Sequence, residues 1–239
     1  MSAPLRDWKV LPHDSPVAID DNILTVVGEI RMPVMVLPRR MTVARLHDAR
    51  LVIFSAIALA DKEMAALDLF GRPAFLIVPN GRHRLDARIW KDRYPALQVI
   101  APEGARAKVA EVVPVDTSTP DFDDADVQFI TVAGTRSRES ALLVRSPTGT
   151  TLVLNDIVGN IRDASGFTGW FLGLVGFSGP RPQIPKVVKM ALVDDRNALR
   201  AQLTQWADIA SLTRILVSHG AVIDADPRRI LRELADSLA

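Results

Sequence analysis

Apolar and polar positions alternate in short runs through the first quarter of the chain, and Pro and Gly break the runs. Ile23 to Val27 reads as a strand ended by Gly28. Met32 to Leu37 and Met41 to Leu46 read as two further strands separated by Pro38-Arg39-Arg40, and Leu51 to Ser55 as a fourth. The opening therefore predicts an antiparallel meander. From Ala60 to Phe70 the apolar residues recur at helical spacing, with Asp61 the expected N-cap, Gly71 the expected C′ residue and Pro73 beyond. Ala74 to Val78 is an unbroken apolar run closed by Pro79-Asn80-Gly81, the pattern of a buried strand. Asp86 to Tyr94 then reads as helix, Gln98 to Ala101 as strand, Glu103 to Ala110 as helix and Val112 to Val115 as strand. This alternation implies a sheet with helices packed on it.

The second half returns to strands. Residues 116–126 form an acidic stretch around Pro120, which reads as a solvated connection. Val127 to Val132, Ala141 to Arg145 and Thr151 to Asn155 are strand-like, and Pro147-Thr148-Gly149 turns the last two into a hairpin. Phe167 to Phe177 is apolar and uncharged. As helix it would span about 16 Å, too short for a hydrocarbon core of about 30 Å, so it predicts a buried segment, a lid or a homodimer contact. Asp195 caps a helix to about Ala210, with Leu199, Leu203 and Trp206 on one face. Arg214 to Val217 is a buried strand running into Ser218-His219-Gly220. Asp226-Pro227 opens a final helix with Ile230, Leu231, Leu234 and Leu238 on its apolar face. Neither a linker nor a repeat divides the chain, so residues 1–239 are expected to form a single domain, with 1–22 as an irregular N-terminal segment.

Composition narrows the function more than the fold. The 239 residues are 48% hydrophobic and carry a formal net charge of +1, with no concentrated basic surface, so nucleic acid is not an expected partner. The absence of cysteine excludes disulfides, thiolate metal sites and a Cys nucleophile. The N-terminus has no apolar signal core and no transmembrane segment is expected, which predicts a cytoplasmic protein.

Candidate chemistry gathers at strand ends. His83 follows the Ala74 to Val78 run, Asp156 ends the run Thr151 to Asn155, and His219 follows Arg214 to Val217. Three strand ends pointing the same way can bring these side chains together, and imidazole and carboxylate suit zinc, iron or manganese. His13 and His47 lie outside such runs and read as surface residues.

The order of elements, with Ile77 to His83, Val132 to Leu143, Leu152 to Ile157 and Leu216 to Gly220, resembles the metallo-β-lactamase superfamily. The resemblance is to an uncharacterised branch with a shortened Asn-x-x-His loop, here Asn80 to His83, then Trp90 and Tyr94-Pro95. It implies an α+β fold, a four-layer αβ/βα sandwich of two mixed sheets flanked by helices, with the site along one sheet edge. The superfamily's metal motifs are depleted here. No register of His-x-His-x-Asp-His keeps more than two ligating residues around His83, and Thr135 stands where the next motif has His. Asp156 and His219 match the bridging Asp and the final His.

A two-metal hydrolase needs more ligands than His83, Asp86, Asp156 and His219 can offer. One divalent ion on His83, Asp156 and His219 is compatible with the residues, with Asp86 as a fourth ligand or a catalytic base. The expected ligand cleft adds Asn80, Arg82, Thr135, Arg136 and Glu139. If Arg82, Arg84, Arg136 or Arg138 points inward, its guanidinium could replace a lost cation and bind an anionic ligand. Two functions stay open at this stage. One is a non-catalytic protein that binds a small molecule or assembles with a partner. The other is a single-metal hydrolase acting on an ester, lactone or phosphoester.

Overall fold

The computed structural model describes residues 3–32, 35–162, 173, 176 and 178–239. One sheet carries β1 (Val17–Asp20), β2 (Ile23–Met32), β3 (Met35–Arg45), β4 (Arg50–Phe54), β5 (Arg72–Ile77) and β6 (Gln98–Ile100) in chain order. It is antiparallel up to β4, then parallel through β5 and β6. The parallel pairs need crossovers. Helices α1 (Asp61–Phe70) and α2 (Ala87–Arg93) supply them, and α3 (Glu103–Ala110) follows β6. The second sheet has the order β10-β9-β8-β7, built from β7 (Val127–Thr131), β8 (Ser140–Ser146), β9 (Gly149–Asn160) and β10 (Leu212–Gly220). Helices α4 (Lys186–Ala191), α5 (Arg196–Ala207) and α6 (Pro227–Asp236) complete the described elements.

Side-chain alternation builds the layers. Val52, Phe54, Phe75 and Ile77 from the first sheet meet Leu142, Val144, Val153 and Leu216 from the second in one shared core. Their neighbours Leu51, Ile53 and Leu76 face the opposite way, onto Met64 and Leu67 of α1, Trp90 of α2 and Val109 of α3. Leu152, Leu154, Ile215 and Val217 face Leu199, Leu203 and Trp206 of α5 and Leu231 and Leu234 of α6. Both sheets are therefore buried on both faces, which gives the four-layer αβ/βα sandwich. The shared core joins the sheets as one unit.

Helix ends follow the sequence where a short polar side chain is free to bend back. Asp195 accepts from the Ala198 N–H at 2.9 Å and Asp226 from Arg229 at 3.2 Å, ahead of Pro227. At α1 the N-cap is Ala60 with no side-chain bond, and Asp61 lies in the first turn, where its charge favours the helix dipole.

Three expectations change besides the Asp61 cap. Val17–Asp20, within the segment expected to be irregular, form β1. Pro38-Arg39-Arg40 does not separate two strands. It lies inside β3, which pairs with β2 in unbroken register from Ala44 opposite Ile23 to Met35 opposite Met32. The reason is hydrogen-bond parity. Glu29, opposite Pro38, donates its N–H to Pro12 on the far side of β2. Glu29 and Pro38 therefore form a non-hydrogen-bonded pair, and the missing proline N–H faces an edge that β4 does not reach, since β4 pairs only with Thr42 to Arg45. Val112 to Val115 joins no sheet. Asp116 closes the β6 edge instead, its carboxylate accepting from the Val99 N–H at 2.7 Å. Phe167 to Phe177, with its expected homodimer contact, lies outside the described residues except for Gly173 and Gly176. Among the described residues, no helix is long and apolar enough to cross a membrane.

Candidate metal centre

His83, Asp156 and His219 converge at one end of the sandwich. His83 leaves the loop after β5, Asp156 lies within β9 and His219 in β10. A wide irregularity lifts Asp156 out of the ladder: Val217 pairs with Leu154, but His219 pairs with Gly159. After His219 the chain turns through Gly220 at φ 116°, where a Cβ would meet the Asn160 carbonyl oxygen at 2.1 Å, so only glycine fits.

Asp156 Oδ1 lies 3.0 Å from His83 Nε2 and 3.1 Å from His219 Nε2, and the two imidazole nitrogens are 3.2 Å apart. The far ring nitrogens are anchored. His219 Nδ1 sits 2.7 Å from the Pro38 carbonyl oxygen. A carbonyl only accepts, so Nδ1 carries a proton and donates it. That carbonyl is free because it lies on the unpaired edge of β3. His83 Nδ1 is 2.9 Å from the Ser55 hydroxyl, on a residue held at φ 57° just after β4.

A second tier fixes Asp156. The Asn80 amide nitrogen donates to Asp156 Oδ2 and to Glu139 Oε2, both at 2.8 Å. Asn80 Oδ1 accepts from the backbone N–H groups of Arg82 and His83, which shapes the loop. Glu139 Oε1 accepts from the Asp156 N–H at 3.1 Å. Burial and the neighbouring Asp156 charge push the Glu139 carboxyl well above the usual range. Burial alone would raise Asp156 too, but His83 and His219 beside it hold its carboxyl well below the usual range. Burial lowers the pKa of His83 and so favours the neutral ring.

The donor set fits a metal ion. With Nδ1 of His219 protonated, a neutral His219 turns its Nε2 lone pair towards Asp156 Oδ1 and His83 Nε2. Electron-rich atoms this close need a cation between them, either a proton or a metal. Zinc–nitrogen bonds of about 2.0–2.1 Å in a tetrahedron place ligand atoms about 3.3 Å apart, close to the separations seen. Orientation of each imidazole by its second nitrogen is the arrangement that supports metal-bound histidine.

The remaining predicted residues are distributed otherwise. Asp86 does not join the triad. It is buried, accepts from the Ala58 N–H at 3.0 Å and pairs with Arg39. Arg82 is exposed. Arg84 reaches Lys108 O and Glu111, and Arg136 is exposed and pairs with Asp194. Thr135 is buried and donates to the Val132 carbonyl at 2.6 Å. Two guanidinium groups that meet this end come from Arg39 and Arg40, between the strands expected at 32–37 and 41–46. Arg40 bonds the carbonyls of Val217 and Gly220 on either side of His219, and the Thr25 hydroxyl. A partial signal was present: Arg40 to Val43 alternates polar and apolar positions, and no Gly, Asn or Asp stands between Met32 and Leu46, which is unlike a hairpin turn.

A second His–Asp group, His47 with Asp124 and Asp126, lies at the opposite end of the strands. Its histidine side chain is 77% exposed.

Compared with known proteins, the chain is similar in structure to FIM-1, a metallo-β-lactamase from Pseudomonas aeruginosa in its mono-zinc form. The TM-score is 0.61 at 12% identity, covering 96% of this chain and 97% of that one. DIM-1 metallo-β-lactamase superposes with a TM-score of 0.63 at 12% identity, over 97% and 100% of the two chains. A metallo-β-lactamase from Hirschia baltica gives 0.60 at 9% identity, over 94% and 98%. No protein-family model and no curated protein sequence matches the chain. At such identities the likeness establishes the fold. The chain has the metallo-β-lactamase fold.

Proposed function

We propose that this protein is a single-metal hydrolase, holding one divalent ion (zinc, iron or manganese) on His83, Asp156 and His219. The observation that carries this reading is the mutual approach of three ligand atoms to 3.0–3.2 Å while the other nitrogen of each imidazole is anchored elsewhere. Three protein ligands leave a position open, as catalytic sites require. FIM-1 has been solved in a mono-zinc form, so one ion is compatible with this fold. A bound ion would supply Lewis acidity to a carbonyl or phosphoryl oxygen and acidify a water molecule. The chain's own residues set that ion's surroundings: Pro38 and Ser55 orient the imidazoles, and Asn80 and Glu139 hold the Asp156 carboxylate and its backbone. Esters, lactones and phosphoesters are the substrate classes such a site can serve.

One observation favours a second reading, a non-catalytic protein that binds a small molecule at the same place. Asp86 is turned to Arg39 and the Ala58 N–H, and Glu139 to Asn80 and the Asp156 N–H, so neither carboxylate is bonded to a ligand atom of the triad as a base would be. Elemental mass spectrometry on protein purified without chelator separates the cases, with His219→Ala as control. About one ion per chain in wild type, lost in the variant, together with ester hydrolysis that tracks the ion, supports the hydrolase. Metal without hydrolysis supports the binding protein. A wild type that takes up no metal when zinc or manganese is supplied overturns the metal site.

A further inference from the structure

Arg39 is the least satisfied charged side chain beside the centre. It is 5% exposed, and its guanidinium touches one partner, Asp86, through Nη1 alone. Nε and Nη2 are shielded from solvent and have no hydrogen-bond partner among the described residues. These two nitrogens form the side-on edge of the guanidinium, the fork that matches a carboxylate or phosphate with two parallel bonds. Buried donors are nearly always paired in native structures, so an unpaired fork calls for a partner that a bound ligand can supply.

Its place in the fold connects it to the triad. The preceding residue, Pro38, holds His219 through its carbonyl, and Asp86 stands three positions after His83 on one loop. The next residue, Arg40, bonds the Val217 and Gly220 carbonyls on either side of His219, so this part of β3 lies against the triad.

We infer that the Nε–Nη2 fork of Arg39 is an oxyanion-binding element, receiving a carboxylate or phosphate group of the ligand whose other end meets the His83–Asp156–His219 centre. This deepens the single-metal reading and rests on it. The oxyanion displaces whatever covers the fork, so its binding is coupled to a local opening. Because the other end of the ligand meets the ion, binding is expected to be stronger to the zinc-loaded protein.

The test is calorimetric titration of inorganic phosphate, and separately acetate, into zinc-loaded and metal-free protein. Arg39→Lys keeps the charge opposite Asp86 but removes the fork. The expected result is phosphate or acetate binding to the zinc-loaded wild type, weakened about tenfold or more in Arg39→Lys, with zinc content unchanged. The stronger of the two anions identifies the ligand group. If Arg39→Lys is misfolded by circular dichroism, Arg39→Met combined with Asp86→Asn removes both charges together and leaves no buried ion unpaired. Zinc uptake with no binding of either anion, or binding indifferent to Arg39, overturns the fork alone. A wild type that takes up no zinc overturns the metal reading and the fork with it.

Discussion

The two ends of the sandwich carry the same residue types and use them differently. At one end His83, Asp156 and His219 are packed against the β3 edge and the loop after β5. At the other, His47, Asp124 and Asp126 approach one another beside a cavity of ≈ 590 Å³ rimmed by Arg45 and Arg145. There the Asp124 carboxylate is already engaged with the backbone: it accepts from the N–H groups of His47 and Asp126, closing a turn. The His47 ring sits 3.4 Å from Asp124 and 3.2 Å from Asp126 but stays mostly in solvent. The contrast lies in support rather than in proximity: at the first end Pro38, Ser55, Asn80 and Glu139, a second tier, each hold a member of the triad from behind.

Asn80 is where that second tier is most easily broken. Replacing it with Ala leaves Asp156 Oδ2, Glu139 Oε2 and the N–H groups of Arg82 and His83 without their partner. Unpaired buried carboxylates cost more than the bonds they lose. Asn80→Ala is expected to lower stability by roughly 3 kcal/mol in urea unfolding. Zinc affinity, read by chelator competition, should fall by about 10–100-fold. Unchanged zinc affinity in a folded variant would show that the ligands hold themselves, and the distinction between the two ends would then lie in burial alone.

The convergence of His83, Asp156 and His219 was legible in the sequence because each stands just past an apolar run, and strand direction fixes which end of the sheet it reaches. Leu152 to Leu154 aims Asp156, and Ile215 to Val217 aims His219. The layers were legible for the same reason. The supports were not. Pro38 matters through its carbonyl, a group that every residue has. Its use depends on the β2–β3 register and on where β4 stops. Ser55 and Asn80 act across 28 and 76 positions in the chain, on His83 and Asp156, distances that no local pattern encodes. Arg39 and Arg40 were hidden by the proline before them, which reads as a turn unless the free strand edge is known.

The far end also has a buried carboxylate that ties the two sheets together. Asp20, at the end of β1, pairs with Arg214 at 3.1 Å in β10 and accepts from the Thr148 hydroxyl. Burial alone would raise its pKa, but Thr148, the Asp21 N–H and Arg214 outweigh it, so its carboxyl lies below the usual value. A pKa lower in the folded than in the unfolded chain means stability that is full above about pH 4 and disappears as pH falls through the folded pKa. Asp20→Asn should therefore cost about 1 kcal/mol at pH 7. The gap from wild type should narrow as pH drops below 4. Zinc content should not change. A gap that stays constant down to pH 2 would mean that the hydrogen bonds matter and the charge does not.

The smallest effect tests the comparison most directly. His47→Ala removes the exposed ring but keeps the backbone N–H that Asp124 accepts, so the turn survives. An exposed His–Asp contact contributes little, and the variant should unfold within about 0.5 kcal/mol of wild type. Its bound metal should equal that of the parent, because the far cluster has no anchored imidazole to present a lone pair. Loss of an ion in His47→Ala would show that an exposed imidazole beside a turn-bound carboxylate suffices to recruit a metal. Anchoring by a second tier would then not be what prepares His83 and His219 for an ion either.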